Sequence, residues 1–230
     1  MKATLQWRAV LLDLDGTLLD TLPDLAESAN RMRASLGLPT LAIDLIGSFI
    51  GKGADHLIAC SLAGKKDPAR VDPALFARGR TVFFDTYRRI NGDHAKIYEG
   101  VREGIDALLS MDFKLAVVTN KPTEFTLPLL ERTGLAQFMS AIVCGDTCER
   151  RKPDPQPIQF ACSQLDVPTS AALTIGDSMN DALAARAAGC AVLAVPYGYT
   201  EGLPVTELPV DGIVSSILEA SIWMTKQSKA

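Results

Sequence analysis

Asp13 and Asp15 stand two positions apart, after the apolar run Ala9 to Leu12 and before a Gly16-Thr17 turn. A run this short, closed by a turn, reads as a buried strand rather than a helix. Side chains two apart on an extended backbone point the same way, so both carboxylates face one site. Two acids this close resist joint ionisation unless they share a cation or one keeps its proton. The pair suits a metal site, or an acid beside a nucleophile. An EF-hand loop also opens on D-x-D but needs a third oxygen ligand before its glycine. Here Gly16 comes too early, and Leu18-Leu19 follow.

Three further stretches carry groups of the same chemistry. Thr119-Asn120-Lys121-Pro122 follows the apolar Val117-Val118. A hydroxyl and a free backbone N–H at a strand end, just before a helix, suit a phosphate oxygen; a plain helix cap is the simpler alternative. In Arg151-Lys152-Pro153-Asp154-Pro155 two prolines restrict the backbone around Lys152. An ammonium held there offsets charge on a phosphoryl group, unless it is an ordinary surface lysine. Thr174-Ile175-Gly176-Asp177-Ser178-Met179-Asn180-Asp181 places two acids four apart at a strand-to-helix junction. Asp177 at the strand end can face the crevice of Asp13, and Asp181 lies one helical turn on. Hard carboxylate oxygens favour Mg²⁺. An N-cap role accounts for Asp177 but less well for Asp181. Gly51-Lys52-Gly53 is a flexible elbow that carries a cation.

The elements that position these groups follow from periodicity. Beyond Tyr98, helical patterns alternate with short apolar runs at residues 114–119, 141–144, 172–175 and 191–195. Such alternation builds parallel β-α-β units with right-handed crossovers. The expected fold is α/β, a doubly wound parallel sheet of order 3-2-1-4-5. It puts the strand before Asp13 in the middle, where ligands bind beyond the carboxyl ends. Residues 22–36, 54–63 and 73–90 carry helical spacing, and no strand is expected between Leu18 and Gly92. The chain therefore divides into a core domain of residues 1–19 and 92–230 and a helical domain of residues 20–91. Residues 211–229 are expected to add a short strand and a helix that frays at its end.

Bulk properties exclude several classes. The chain has 230 residues, 47% hydrophobic and 22% charged, with a formal net charge of −4. No basic stripe speaks for a nucleic-acid partner, and no apolar run approaches the ~20 residues of a membrane span. Met1-Lys2-Ala3-Thr4 is not followed by a long apolar region and a cleavage site, so no secretory signal is expected. The five cysteines show no zinc spacing and read as reduced thiols of a cytoplasmic protein.

The four stretches, in this order and at strand ends, resemble the motifs of the haloacid-dehalogenase-like superfamily of phosphohydrolases. More narrowly the chain is similar to the phosphoglycolate phosphatase group, through residues 12–21, Thr119-Asn120-Lys121-Pro122, Lys152-Pro153-Asp154-Pro155, Gly176-Asp177-Ser178 and Tyr197-Gly198-Tyr199. Thr200-Glu201-Gly202 departs from that group's Asn-containing version. The resemblance implies a C1-type cap in residues 20–91 and a two-step hydrolysis of a small phosphorylated metabolite. Asp13 is then the nucleophile and Asp15 the general acid and base, with a pKa raised by burial or by the cap. Thr119 and the Asn120 backbone hold phosphate oxygens, and Lys152 bridges Asp13 and the phosphate. Mg²⁺ is held by Asp13, the Asp15 carbonyl and Asp177, with Asp181 as outer or direct support. Gly51, Lys52 and Gly53 form the specificity loop, with Lys52 meeting a substrate carboxylate. The implied substrate is 2-phosphoglycolate, and the implied state a monomer or homodimer. Open alternatives are a sugar acid 6-phosphate such as N-acetylmuramate 6-phosphate, a phosphomutase, and a carbon–halogen hydrolase that would leave Asp15, Asp177 and Asp181 without a role.

Overall fold

The computed structural model describes residues 7–68 and 70–227. The readings of Met1-Lys2-Ala3-Thr4 and of the chain end beyond Gln227 lie outside these residues. At the centre is β1 (Ala9–Leu12), whose four residues are all buried. It is apolar on both faces, as a strand covered on both sides must be. It pairs in parallel with β4 (Lys114–Val118) on one side and β6 (Ala172–Gly176) on the other. Leu12 lies opposite both Val117 and Ile175. That register brings the chain just past the three strands to one level, and these are the positions of Asp13, Thr119 and Asp177.

The sheet continues through β5 (Ala141–Val143), β7 (Ala191–Ala194) and β8 (Gly212–Ile213). Its order is β5-β4-β1-β6-β7-β8. The expected 3-2-1-4-5 arrangement is present, with β8 as a sixth parallel strand at one edge. Alternate residues of β1 serve opposite faces. Val10 and Leu12 pack with α5 (Val101–Ser110), α6 (Thr123–Thr133) and α9 (Ile217–Gln227), through Ile105, Leu129 and Ile217 among others. Ala9 and Leu11 pack with α7 (Gln156–Leu165) and α8 (Met179–Ala188), through Ile158, Ala161 and Ala184.

The segment after the first turn forms α1 (Leu22–Ser35), α2 (Ile43–Gly47), α3 (Ala54–Ala63) and α4 (Pro73–Ile90). Pro23 sits in the first turn of α1, where its missing N–H costs nothing. Asp72 caps α4 by accepting from Leu75 N at 2.9 Å. These helices bury a separate cluster around Met32, Phe49, Ile58, Phe83 and Tyr87, which Phe125 of α6 joins. The absence of any strand before Gly92 does not hold. β2 (Leu19–Asp20) pairs antiparallel with β3 (Lys96–Ile97), where the chain leaves and re-enters the core. Two residues are too few for a period-2 signal, and the pair exists only because tertiary folding brings two distant crossings together. No helix among the described residues is long and apolar enough to cross a membrane.

Asp24 pins this double crossing. It is fully buried in α1. It accepts from the backbone N–H of Gly92 at 3.0 Å, His94 at 3.0 Å and Ala95 at 3.2 Å, and lies 2.9 Å from His94 Nδ1. Removing the carboxylate strands three partly buried backbone donors. Asp24→Ala is expected to cost about 3 kcal/mol of stability, read as a lower urea midpoint at unchanged slope. A midpoint equal to wild type would show that water satisfies those donors.

Candidate active site

Asp13 caps the central strand, its N–H bonded to Ile175 O at 3.0 Å. Beside it lies the Lys152 ammonium, which donates to Asp13 Oδ1 at 2.8 Å, Asp181 Oδ1 at 2.6 Å and Val118 O at 2.6 Å. All three donors of the ammonium are thereby used. Its position is set from the backbone outward. Asn120 Oδ1 accepts from Lys152 N at 3.0 Å, and Asn120 Nδ2 donates to Lys152 O at 2.9 Å and to Gly51 O at 2.8 Å. The Asn120 side chain thus ties the lysine loop to the elbow of the helical segment. Its main-chain N–H has no protein acceptor among the described residues.

Asp177 is buried, its Oδ1 accepting from Thr17 Oγ1 at 2.8 Å and its Oδ2 from Tyr199 N at 2.5 Å. Two glycines make room for it. A Cβ on Gly16 would stand 2.4 Å from Asp177 Oδ2, and one on Gly198 2.3 Å from Asp177 Cβ. Gly16 also has a φ of +90°, which L side chains rarely adopt. Asp181 closes the N-terminus of α8 in a capping box, its Oδ2 accepting from Ser178 N at 3.1 Å and Ser178 Oγ at 2.6 Å. Its other oxygen holds Lys152, so the cap and the charge partner are one residue.

Carboxylate oxygens of Asp13, Asp177 and Asp181 all lie within 4.8 Å of one another. Two of these acids, Asp13 and Asp181, share the Lys152 ammonium, and Asp177 has no cation beside it. Burial, and then the Asp181 charge, push the Asp13 pKa up to about 7 against the pull of Lys152. Burial, and then Asp13 and Asp181, raise Asp177 well above the carboxylate range. Burial works against charge on Lys152, but Asp13 and Asp181 more than offset it and raise its pKa. The cluster has surplus negative charge and hard oxygen donors, and so fits a divalent cation such as Mg²⁺.

Asp15 takes a different partner. Its Oδ1 accepts from Thr21 Oγ1 at 2.7 Å and Lys121 Nζ at 3.0 Å, and its Oδ2 lies 3.2 Å from the same ammonium. Lys121 also donates to Tyr87 Oη at 2.7 Å, from α4. Burial disfavours its charge, yet Asp15 and Tyr87 raise its pKa. The Asp15 carboxylate is therefore outside the three-acid cluster. Asp13, Asp15, Thr119, Asn120, Gly51 and Gly53 line one cavity, walled by apolar side chains including Leu25, Leu57, Phe83 and Phe125. Thr119 Oγ1 accepts from Lys121 N at 3.2 Å. Lys52 does not line the cavity. It is half exposed and pairs with Glu201 Oε2 at 2.7 Å. Glu201 also accepts from Asn180 Nδ2 at 3.0 Å and, through its carbonyl, from Lys66 Nζ at 2.6 Å. Lys121 and Tyr87 are the site residues that sequence reasoning missed. Lys121 stands two places after Thr119, the spacing that places side chains alike on an extended chain; nothing local marks Tyr87.

Breaking the buried pair at Lys152 leaves two carboxylates uncompensated. Lys152→Ala is expected to lose about 3–5 kcal/mol of stability in EDTA, measured by urea unfolding. A loss below about 1 kcal/mol would place the pair in the solvent-screened class.

Residues 10–195 match the family of haloacid dehalogenase-like hydrolases. The chain is 46% identical over 219 residues to a phosphoglycolate phosphatase of Thiobacillus denitrificans, covering 95% of this chain and 96% of that one. It is 45% identical over 221 residues to a phosphoglycolate phosphatase of Nitrosospira multiformis, covering 96% and 97%. Its fold matches the crystal structure of a predicted phosphoglycolate phosphatase from Haemophilus somnus with a TM-score of 0.88 and 32% identity, over 96% of this chain and 99% of that one. The family match runs from β1 to just past β7 and takes in every strand end that carries the acids and lysines above, so this chain belongs to the haloacid dehalogenase-like hydrolases.

Proposed function

We propose that this enzyme is a Mg²⁺-dependent phosphatase of small phosphate monoesters, with 2-phosphoglycolate as its substrate and glycolate and phosphate as products. One observation carries the reading: Asp13 opens onto the cavity while Lys152 grips one of its oxygens from below. An oxygen of Asp13 attacks phosphorus and displaces the ester oxygen, which takes a proton from Asp15. The product is an aspartyl-phosphate. Water then attacks that phosphorus, gives its proton to Asp15, and releases phosphate and the free carboxylate of Asp13.

Each remaining group has a matching task. The Thr119 hydroxyl and the Asn120 N–H receive phosphoryl oxygens at the end of β4. Lys152 holds the nucleophile in place and offsets charge as the phosphoryl group approaches. Asp13, the Asp15 carbonyl, Asp177 and Asp181 would hold Mg²⁺, which when bound neutralises phosphoryl charge. Residues 20–91 act as a cap on a core of residues 1–19 and 92–230, and the β2–β3 ribbon is the hinge through which the cavity opens and shuts. The phosphatase relatives support the substrate, and the free cysteines suit a reducing, cytoplasmic setting.

The test is phosphate release from 2-phosphoglycolate, a sugar phosphate and N-acetylmuramate 6-phosphate, with Mg²⁺ or EDTA, for wild type and Asp13→Asn. Turnover should be fastest on 2-phosphoglycolate and vanish in EDTA. Asp13→Asn should lower it by about a thousandfold or more. Turnover that survives in Asp13→Asn or in EDTA would overturn the mechanism, and a faster ester would replace the substrate.

A further inference from the structure

A substrate with a carboxylate needs a cation to receive it, and the choice is narrow. Lys52 is drawn off by Glu201 and stands outside the cavity. Lys152 has no donor left beyond Asp13, Asp181 and Val118 O. Arg151 is exposed, with its Nε on Gly145 O at 2.6 Å, and does not line the cavity. Among the described residues, Lys121 is the one cation in the cavity wall, and its side chain is only 4% exposed.

Its place matches the connectivity of the substrate. Asp15 must touch the ester oxygen to protonate it. In 2-phosphoglycolate the carboxylate is one methylene from that oxygen, so the cation that reads it must lie next to Asp15. Lys121 Nζ lies 3.0 and 3.2 Å from the two Asp15 oxygens. An ammonium has three N–H groups. The two Asp15 oxygens and the Tyr87 hydroxyl take all three, and the longest of these bonds, 3.2 Å to Asp15 Oδ2, is the one a ligand carboxylate would replace. Leu25, Leu57, Phe83 and Phe125 of the same wall offer no charge to the acid group of a longer substrate. We propose that Lys121, held by Asp15 and by Tyr87 of α4, is the specificity-determining residue. It takes the carboxylate of a phosphate ester whose acid group is one carbon from the ester oxygen. The inference rests on the phosphatase reading above.

Steady-state kinetics on 2-phosphoglycolate and on ethyl phosphate, which lacks the carboxylate, separate the two claims. Wild type should prefer 2-phosphoglycolate in kcat/KM. Lys121→Met should cut that preference roughly 10- to 100-fold, the worth of a charged hydrogen bond, mainly by raising KM for 2-phosphoglycolate. Equal loss on both esters would overturn the proposal and leave Lys121 as a residue that only positions Asp15. A wild type that shows no preference would overturn the substrate reading, and the inference with it. If Lys121→Met fails to fold, Tyr87→Phe decides, since it loosens the ammonium without removing its charge. The preference should then fall several-fold; proportional loss on both esters would refute the assignment.

Discussion

The arrangement depends on one buried contact, the Lys152 ammonium between Asp13 and Asp181. Three carboxylates meet beyond the ends of β1 and β6, where burial alone would force protons onto them. The ammonium keeps part of this charge in place, and everything that sets its position serves that end. Asn120 clasps the Lys152 backbone on both sides, and Val118 O at the end of β4 takes the remaining N–H. Asp181 is anchored by the cap of α8, so the helix start and the charge cluster stand or fall together.

The two acids of the first turn are divided by their partners. Asp13 belongs to Lys152 and the acid cluster, and Asp15 to Lys121, Thr21 and, through the lysine, Tyr87. Adjacent carboxylates with separate environments can take separate roles in one reaction. The same division joins the helical segment to the chemistry. Tyr87 reaches Lys121, Gly51 O meets Asn120, and Lys52 and Lys66 meet Glu201. These contacts cross from the helical segment to the core. Asp24 holds the double crossing between the helical segment and the core.

Much of this was legible in the sequence because it depends on short-range pattern. The strands before Asp13, Thr119 and Asp177 are apolar runs that end in polar residues, and strand ends in a parallel sheet face one crevice. The α4 cap at Asp72-Pro73 and the glycine required at Gly16 are local chemistry as well. The β2–β3 ribbon was not legible, since its strands are two residues each and 75 or more positions apart in the chain. The elbow of Gly51-Lys52-Gly53 was legible as an elbow, but the direction of Lys52 was not. Glu201, 149 positions away, decides it.

The sequence by itself determined the alternation of strands and helices, the helical segment and the four strand-end stretches, since hydrophobic period and turn residues act over a few positions. Only the tertiary structure decided which charge meets which. A lysine has four rotatable bonds and no local partner that fixes it, so its ammonium goes where folding has placed an acid. Lys152 went to Asp13 and Asp181, Lys121 to Asp15 and Tyr87, and Lys52 to Glu201.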